Sequence, residues 1–205
     1  MLKQLFSDLL GRSKSDPSEP TLAGALQADR SMPLHLGCGG NVIPGWTNID
    51  LEPPAGAMQW DLTKPLPFES GSRPYVFNEH FIEHIDYESA LQLVSECFRV
   101  LKVGGVFRVS TPDLRKLISE YLGGGTREWA DVGWIPDTPC RLMNEGMRMW
   151  GHTFVYDEDE MRLLLARGGF REVVKVDWRA SQHTMLRSLE CRPYHSELIF
   201  EATKT

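Results

Sequence analysis

Closely spaced cysteines are what this sequence most clearly lacks. It has only four, and none of them forms a Cys-x-x-Cys pair; they are Cys38, Cys97, Cys140 and Cys191. Zinc ribbons and disulfide-stapled domains need such spacings, so the sequence favours neither class. We therefore predict a cytoplasmic protein with reduced thiols that is stabilised by an ordinary apolar core.

The sequence also has no excess of positive charge and no long apolar run. Lys and Arg number 22 against 28 Asp and Glu, which gives a formal net charge of −6 at pH 7. Nucleic-acid binding draws on clustered basic side chains, and a bilayer span needs about 20 consecutive apolar residues. We therefore predict a small-molecule substrate, no nucleic-acid partner and no membrane partner, and leave a homodimer open.

Composition divides the chain into an N-terminal segment and one domain. Residues 1–32 begin with apolar residues at helical spacing and continue into a stretch rich in Pro and Ser, which predicts a helix and a flexible linker. Residues 33–205 suffice for one domain with a single core. Within that domain, residues 123–156 show no clear period but are rich in aromatic and polar side chains. We interpret them as a substrate-binding insertion.

The best-defined motif is a glycine cluster, Leu36-Gly37-Cys38-Gly39-Gly40, at the end of a short apolar run that is typical of a buried parallel strand. A second short strand, at about 47–51, brings Asp50 to the same edge of the predicted sheet, where open α/β sheets bind ligands. Glycine lets the backbone turn beneath a ligand, and a carboxylate accepts hydrogen bonds from two vicinal hydroxyls. Together they predict a nucleoside site.

The rest of the chain alternates strands with helices. Short apolar runs predict further strands at about 58–60, 75–78, 106–111 and 173–176, the first of them leading into Asp61. An alternating run over 195–202 predicts a closing strand that is antiparallel. Apolar residues at helical spacing predict helices over 79–85, 87–101, 113–122 and 157–167.

In this order the pieces resemble a class I S-adenosylmethionine-dependent methyltransferase of the small, stand-alone kind. The resemblance covers about residues 33–205 and also rests on Glu79-His80-Phe81-Ile82-Glu83-His84, on Arg99-Val100-Leu101-Lys102-Val103-Gly104-Gly105 and on residues 164–170. It implies an α/β fold, a Rossmann-like three-layer sandwich. The sheet would have seven mainly parallel strands in the order 3-2-1-4-5-7-6, with strand 7 antiparallel.

The resemblance implies S-adenosylmethionine as the cofactor. Gly37 and Gly39 would lie under the methionine moiety, Asp50 would hold the ribose hydroxyls, and Asp61 would flank the adenine. The cofactor-binding set predicted in this way is Leu36, Gly37, Cys38, Gly39, Asp50, Leu51, Asp61, Leu62, Asn78 and Glu79. One departure is that residues 42–45 replace a full crossover helix, so either a turn or two suffices or the strand boundaries differ by a few residues.

The stretch from His80 to His84 has the His-x-x-Glu-His spacing that places two imidazoles on one helix face for zinc. The sequence shows no third ligand, and this segment already matches the stretch that follows strand four in the resembled family. We therefore predict no metal site and assign His80 and His84 to the substrate side.

The insertion carries the candidate for acid–base chemistry. His152 can take a proton from an oxygen or nitrogen nucleophile because imidazole titrates near neutral pH; the alternative is a histidine that only stabilises the insertion. Arg141 and Arg148 could clamp a carboxylate or phosphate, or could simply be solvated. With His152 as the catalytic residue, the predicted substrate-binding set is His80, His84, Arg141, Asn144, Arg148 and Trp150.

The predicted function is methyl transfer to an oxygen or nitrogen of a small acceptor, such as a sugar or a secondary metabolite. A non-catalytic subunit that keeps the cofactor is one alternative. An NAD-dependent oxidoreductase is another, but it requires a third glycine where this chain has Val42 and a helix whose N-terminus carries the pyrophosphate.

Overall fold

The computed structural model describes residues 32–192, 195 and 197–205. The predicted N-terminal helix and linker, which span residues 1–32, therefore lie outside the described residues except at Met32. Seven strands form the sheet: β1 (Leu34–Leu36), β2 (Thr47–Asp50), β3 (Met58–Gln59), β4 (Arg73–Glu79), β5 (Leu101–Thr111), β6 (Glu172–Lys175) and β7 (Leu198–Thr203).

The strands form one sheet of order β3-β2-β1-β4-β5-β7-β6. β7 runs antiparallel to both β5 and β6, whereas the other neighbouring pairs are parallel. This order and the antiparallel β7 confirm the predicted fold. Because the strand order changes direction at β1 and β4, the carboxyl ends of these strands form the switch point at which open α/β sheets bind ligands.

In the described part of the chain, four α-helices accompany the sheet: α1 (Tyr87–Val100), α2 (Leu114–Gly123), α3 (Pro139–Arg148) and α4 (Glu158–Arg167). The Asp86 side chain caps α1 by accepting from Ser89 N, and a buried stripe that includes Leu93, Val94 and Cys97 faces the sheet. α1 and α4 share one apolar core with the strands. Among the described residues, no helix is both long and apolar enough to cross a membrane.

The opposite face of the sheet is covered by connecting segments. Val76 belongs to the main core, whereas its neighbour Phe77 packs with Trp46, Val106 and Leu186 in a second cluster. Successive side chains of a strand point to opposite faces, so the two clusters form layers on either side of the sheet.

The short connection from β1 to β2 contains no helix. Asn48 on β2 holds this connection in place. Its Oδ1 accepts from Ile43 N at 2.8 Å, and its Nδ2 donates to the carbonyls of Ile43 at 3.0 Å and Trp46 at 3.1 Å. His35 Nδ1 lies 3.0 Å from the same Oδ1, so Asn48 also links this connection to β1. A minimal crossover is therefore sufficient here.

Two predicted segments differ in the structure. The helix predicted over 79–85 is wrong, because β4 continues to Glu79, His80 adopts φ +49° and only a 3-10 turn follows at Ile82–His84. The insertion is more regular than predicted, since it contains α3. The Thr138 side chain caps this helix, and Leu142 and Gly146 are buried one turn apart.

A buried arginine fastens the segment before β7 to the sheet. Arg108 on β5 donates to Glu190 Oε1 and Glu201 Oε1, both at 2.6 Å, and to the carbonyl of Ala180 at 2.8 Å. Because the guanidinium and both carboxylates are almost completely buried, each charge depends on the others. The ion pairs fix residues 180–191 beside the carboxyl ends of the strands.

Candidate functional site

The glycine loop at the end of β1 is tightly shaped on one side and open on the other. Gly37 has φ +66°, its N–H donates to Ile49 O at 2.9 Å, and a Cβ at this position would lie 2.6 Å from the Phe81 ring. Gly39 has φ +50°, but a Cβ there would meet open space. Only glycine fits Gly37 without strain, and Gly39 leaves room for a ligand over the loop.

Cys38 lies inside this loop but is a filler rather than a nucleophile. Its side chain is buried, and burial raises the pKa of its thiol. A raised pKa keeps the sulfur protonated at neutral pH, and the thiolate is the reactive form. Cys38 therefore fits a packing role within the loop.

Asp50 ends β2 and faces the glycine loop. Its Oδ2 accepts from Gly39 N at 2.8 Å, and its Oδ1 accepts from Glu52 N at 3.0 Å. A carboxylate offers about four acceptor positions, so both oxygens can still accept from hydroxyl groups. Leu51, which follows it, is 60% exposed and supplies apolar surface at the same edge.

Asp61 lies on the connection after β3. Its Oδ1 accepts from Thr63 Oγ1 at 2.6 Å and from Thr63 N at 2.9 Å, and these hydrogen bonds lower the pKa of Asp61. Trp60 N donates to Asp50 O at 2.9 Å, which holds this connection beside the end of β2. Leu62, the next residue, is buried in the main core.

Asn78 and Glu79 end β4. Asn78 Nδ2 donates to Leu36 O at 2.9 Å, whereas its buried Oδ1 has no hydrogen-bond partner. The Glu79 carboxylate accepts from Cys191 N at 3.1 Å and from Arg192 N at 3.2 Å. Asn78 thus presents an unused acceptor at the switch point, and Glu79 fixes the segment that Arg108 also anchors.

These features fit a nucleoside cofactor with an amino group. The open surface above Gly39 leaves space for it, the Asp50 carboxylate can accept from vicinal hydroxyls, and the orphaned Oδ1 of Asn78 needs a donor. The predicted cofactor residues from β1, β2 and β4 thus lie at adjacent strand ends.

A cavity of about 350 Å³ lies next to this site, beyond the carboxyl ends of β4 and β5. We call it the histidine cavity, because four histidines line it together with three tryptophans from the insertion; they are His80, His84, His152, His195, Trp129, Trp134 and Trp150. Its volume lies within the range of small-molecule sites, about 300–1,000 Å³.

His152 is held in a defined orientation on the wall of the histidine cavity. Its Nδ1 lies 2.9 Å from the carbonyl of Gly146, which can only accept, so in the neutral ring the proton is on Nδ1 and the lone pair is on Nε2. The His84 ring lies 5.0 Å from the His152 ring, and the Trp150 ring lies 5.7 Å from it. The structure thus brings together four of the predicted substrate-side residues: His80, His84, Trp150 and His152.

Three predicted substrate residues are not among those that line the histidine cavity: Arg141, Asn144 and Arg148. All three are exposed on α3, whose buried positions are Leu142 and Gly146. Arg141 lies 3.5 Å from Asp137, and Asn144 Nδ2 donates to Cys140 O at 3.0 Å. These side chains do not line the cavity because they project from the side of α3 that does not pack on the domain.

The predicted site did not include Glu83, Trp134 or His195, which also line the histidine cavity. Glu83 is completely buried, and its Oε2 accepts from Thr111 Oγ1 at 3.1 Å. The His-x-x-Glu-His spacing could have indicated Glu83. His195 lies far along the sequence from the insertion, and its Nε2 meets Asp131 at 2.8 Å only in the folded chain.

Comparison with known proteins agrees with this geometry. Residues 34–109 match the family described as a methyltransferase domain. A Mycolicibacterium smegmatis protein named "Probable S-adenosylmethionine-dependent methyltransferase" is 54% identical over 48 residues, which are 23% of this chain and 18% of that protein. The chain thus matches less than a fifth of that relative's length.

Solved structures share the fold. An S-adenosylmethionine-dependent methyltransferase from Thermotoga maritima has a TM-score of 0.51 at 16% identity, and the match covers 85% of this chain and 82% of the Thermotoga chain. One from Archaeoglobus fulgidus also has a TM-score of 0.51, at 14% identity, and the match covers 89% of each chain. Residues 34–109 are thus similar to a methyltransferase domain, and the whole described sheet has the fold of these solved methyltransferases.

Proposed function

We propose that this chain transfers a methyl group from S-adenosylmethionine to an oxygen or nitrogen of a small molecule bound in the histidine cavity. One observation carries the proposal: the glycine loop and the histidine cavity lie side by side at one edge of the sheet. Asn78 on β4 is paired with Leu36 at the start of the loop, and His80, two residues later, already lines the cavity. A donor and an acceptor would therefore meet at the end of β4.

The cofactor would be held by groups that still lack a full set of partners. Asp50 would accept from the ribose hydroxyls, the backbone at Gly37 and Gly39 would lie under the methionine moiety, and Asn78 Oδ1 would accept from its amino group. Asp61 is held ionised by Thr63 and is proposed to flank the adenine. When bound, the cofactor supplies an electrophilic methyl group.

Positioning would supply much of the rate. Methyl transfer from a sulfonium is an in-line displacement, so the protein mainly has to align the two reactants at contact distance. Effective molarities of roughly 10⁵–10⁸ M are reached in well-oriented intramolecular reactions. The Phe81 ring, packed against Gly37, and the Trp134 and Trp150 rings, which meet at 5.0 Å, would shape the space for the acceptor.

His152 would take the proton that the acceptor loses. Its Nδ1–H is engaged by Gly146 O, so the lone pair on Nε2 is the group that can act as a base. Such a base typically contributes about 10²–10⁴-fold to the rate, and least where the nucleophile is already deprotonated.

The acceptor is proposed to be a sugar or a secondary metabolite. The cavity volume suits a small molecule, and the net charge of −6 disfavours polyanionic partners. The tryptophans offer flat apolar walls, whereas histidines and Glu197 offer polar contacts, a combination that suits a hydroxylated or aromatic acceptor.

The test is formation of S-adenosylhomocysteine in the presence of a panel of sugars, nucleotide sugars, phenols and amines. We expect turnover with at least one class of acceptor, and a kcat that is at least about 10²-fold lower in His152→Gln. The matched control is His183→Gln, because His183 packs on Tyr75 in the second cluster's layer, away from the cavity. Cofactor binding without turnover on any acceptor would instead favour a non-catalytic subunit.

A further inference from the structure

The wall of the histidine cavity brings together three groups that neighbour one another only in the fold. One donor atom from each of Glu83, His84 and His152 lies within 4.8 Å of the other two. Backbone hydrogen bonds hold the two contributing segments side by side, since Thr153 N and Phe154 N donate to Glu83 O at 2.7 and 3.1 Å. The arrangement is therefore part of the backbone fold and not a chance meeting of mobile side chains.

The His152 ring is prepared as a ligand by its own partner. Because its Nδ1 lies 2.9 Å from Gly146 O, which can only accept, the neutral ring carries its proton on Nδ1 and its lone pair on Nε2. A histidine that binds a metal almost always donates its other ring N–H to a carbonyl or carboxylate in this manner, which fixes both the tautomer and the direction of the ring.

The Glu83 carboxylate is oriented but incompletely satisfied. Its Oε2 accepts from Thr111 Oγ1 at 3.1 Å, whereas the completely buried Oε1 has no hydrogen-bond partner. His80 Nδ1 lies 3.2 Å from Oε1, within ion-pair distance, and His84 Nε2 lies 4.0 Å from it. A buried carboxylate oxygen that accepts no hydrogen bond is costly unless a cation lies beside it, and a metal ion held by the neighbouring imidazoles would fill that role.

We propose that Glu83, His84 and His152 bind one divalent transition-metal ion. Two imidazole nitrogens and one carboxylate oxygen are a donor set for Zn²⁺ and neighbouring ions, whereas Mg²⁺ and Ca²⁺ prefer oxygen ligands. Ligand bonds of about 2.0–2.2 Å place donors roughly 3–3.5 Å apart, so the three donor atoms, which lie within 4.8 Å of one another, would have to move closer by about 1 Å on binding the ion.

The proposed set differs from the one that the sequence pattern suggests. His-x-x-Glu-His would pair His80 with His84 on one α-helical face, but this segment forms a 3-10 turn, and the second imidazole is instead His152 from the insertion. Three protein ligands leave open coordination positions, and these would face the histidine cavity.

The experiment is a calorimetric titration of the metal-depleted full chain with Zn²⁺ and, separately, Co²⁺, without cofactor or acceptor. It is therefore independent of the proposed methyl transfer. We expect one ion per chain, Co²⁺ absorption in the visible range, and at least tenfold weaker binding in both His84→Gln and His152→Gln. His183→Gln and Cys140→Ser are the controls, and we expect wild-type affinity in both; Cys140 is an exposed thiol that could capture Zn²⁺ by itself.

The inference is overturned if neither ion binds. It is also overturned if binding survives in His152→Gln, or if it is lost in Cys140→Ser. Because Glu83 is completely buried, its replacement could disturb folding, so the two histidine variants decide the outcome. Their melting temperatures without metal should match that of the wild type, and the increase that Zn²⁺ gives the wild type should be absent in both.

Discussion

Replacing Asp50 by Asn tests the cofactor site with the smallest change of shape. The wild-type carboxylate accepts from Gly39 N at 2.8 Å and from Glu52 N at 3.0 Å, and we propose that it also accepts from both ribose hydroxyls. The amide keeps one acceptor oxygen and removes the charge. Its NH₂ group cannot accept, so at least one charge-assisted hydrogen bond to the ribose is lost.

The size of the effect follows from that lost bond. A hydrogen bond to a charged group contributes about 1.5–3 kcal/mol, and each 1.4 kcal/mol changes an equilibrium constant about tenfold. Asp50→Asn should therefore weaken S-adenosylhomocysteine binding by roughly 10–150-fold. Calorimetric titration measures this directly, with NADH titrated in parallel as the competing cofactor.

The control is Glu52→Gln, which removes the same charge two residues away. The Glu52 side chain is exposed, and only its backbone N–H contacts Asp50, so we expect its affinity to stay near that of the wild type. If Asp50→Asn and Glu52→Gln bind equally well, Asp50 does not hold the ribose. If NADH binds to the wild type while the adenosyl compounds do not, the proposed cofactor is wrong.

Three further predictions concern the loop and the core. Gly37→Ala should lower the melting temperature more than Gly39→Ala, because both have positive φ but only the first Cβ would strike Phe81; equal losses would contradict this. Burial lowers the pKa of His35, so the free energy of unfolding should fall as the pH drops below about 6.5. Urea titrations at several pH values measure this, and in His35→Leu the free energy of unfolding should depend less on pH. The same dependence in both proteins would contradict the prediction. Arg108→Met should cost about 3–5 kcal/mol in urea unfolding because it leaves two buried carboxylates unpaired, and a loss below about 1 kcal/mol would contradict it.

The sheet could be predicted because its signals are local. Each element can be recognised within a few consecutive residues, as the apolar run before Gly37, the acid at the end of β2 and the apolar stripe of α1 show. The order of these elements along the chain matches one topology. What replaces the first crossover helix could not be predicted. Asn48 brackets the connection through hydrogen bonds to Ile43 and Trp46, and such a role depends on a fold that is already formed.

The histidine cavity shows where sequence patterns stop being informative. His152 and His84 meet because Thr153 and Phe154 bond to the Glu83 carbonyl, a contact between segments about 70 residues apart along the sequence. Arg141 was also predicted as a substrate residue, but it lies at an exposed position of α3. The sequence did not predict this helix, so it could not predict which of its residues face the cavity.

The most direct test of the proposed methyl transfer is a crystal structure of the chain with S-adenosylhomocysteine. We expect the ribose hydroxyls on Asp50, the amino group at Asn78 Oδ1, and the sulfur open to the histidine cavity near His152. A ligand bound at this loop with its sulfur walled off from the cavity would contradict the proposed methyl transfer. A ligand bound elsewhere would contradict the whole assignment of the site.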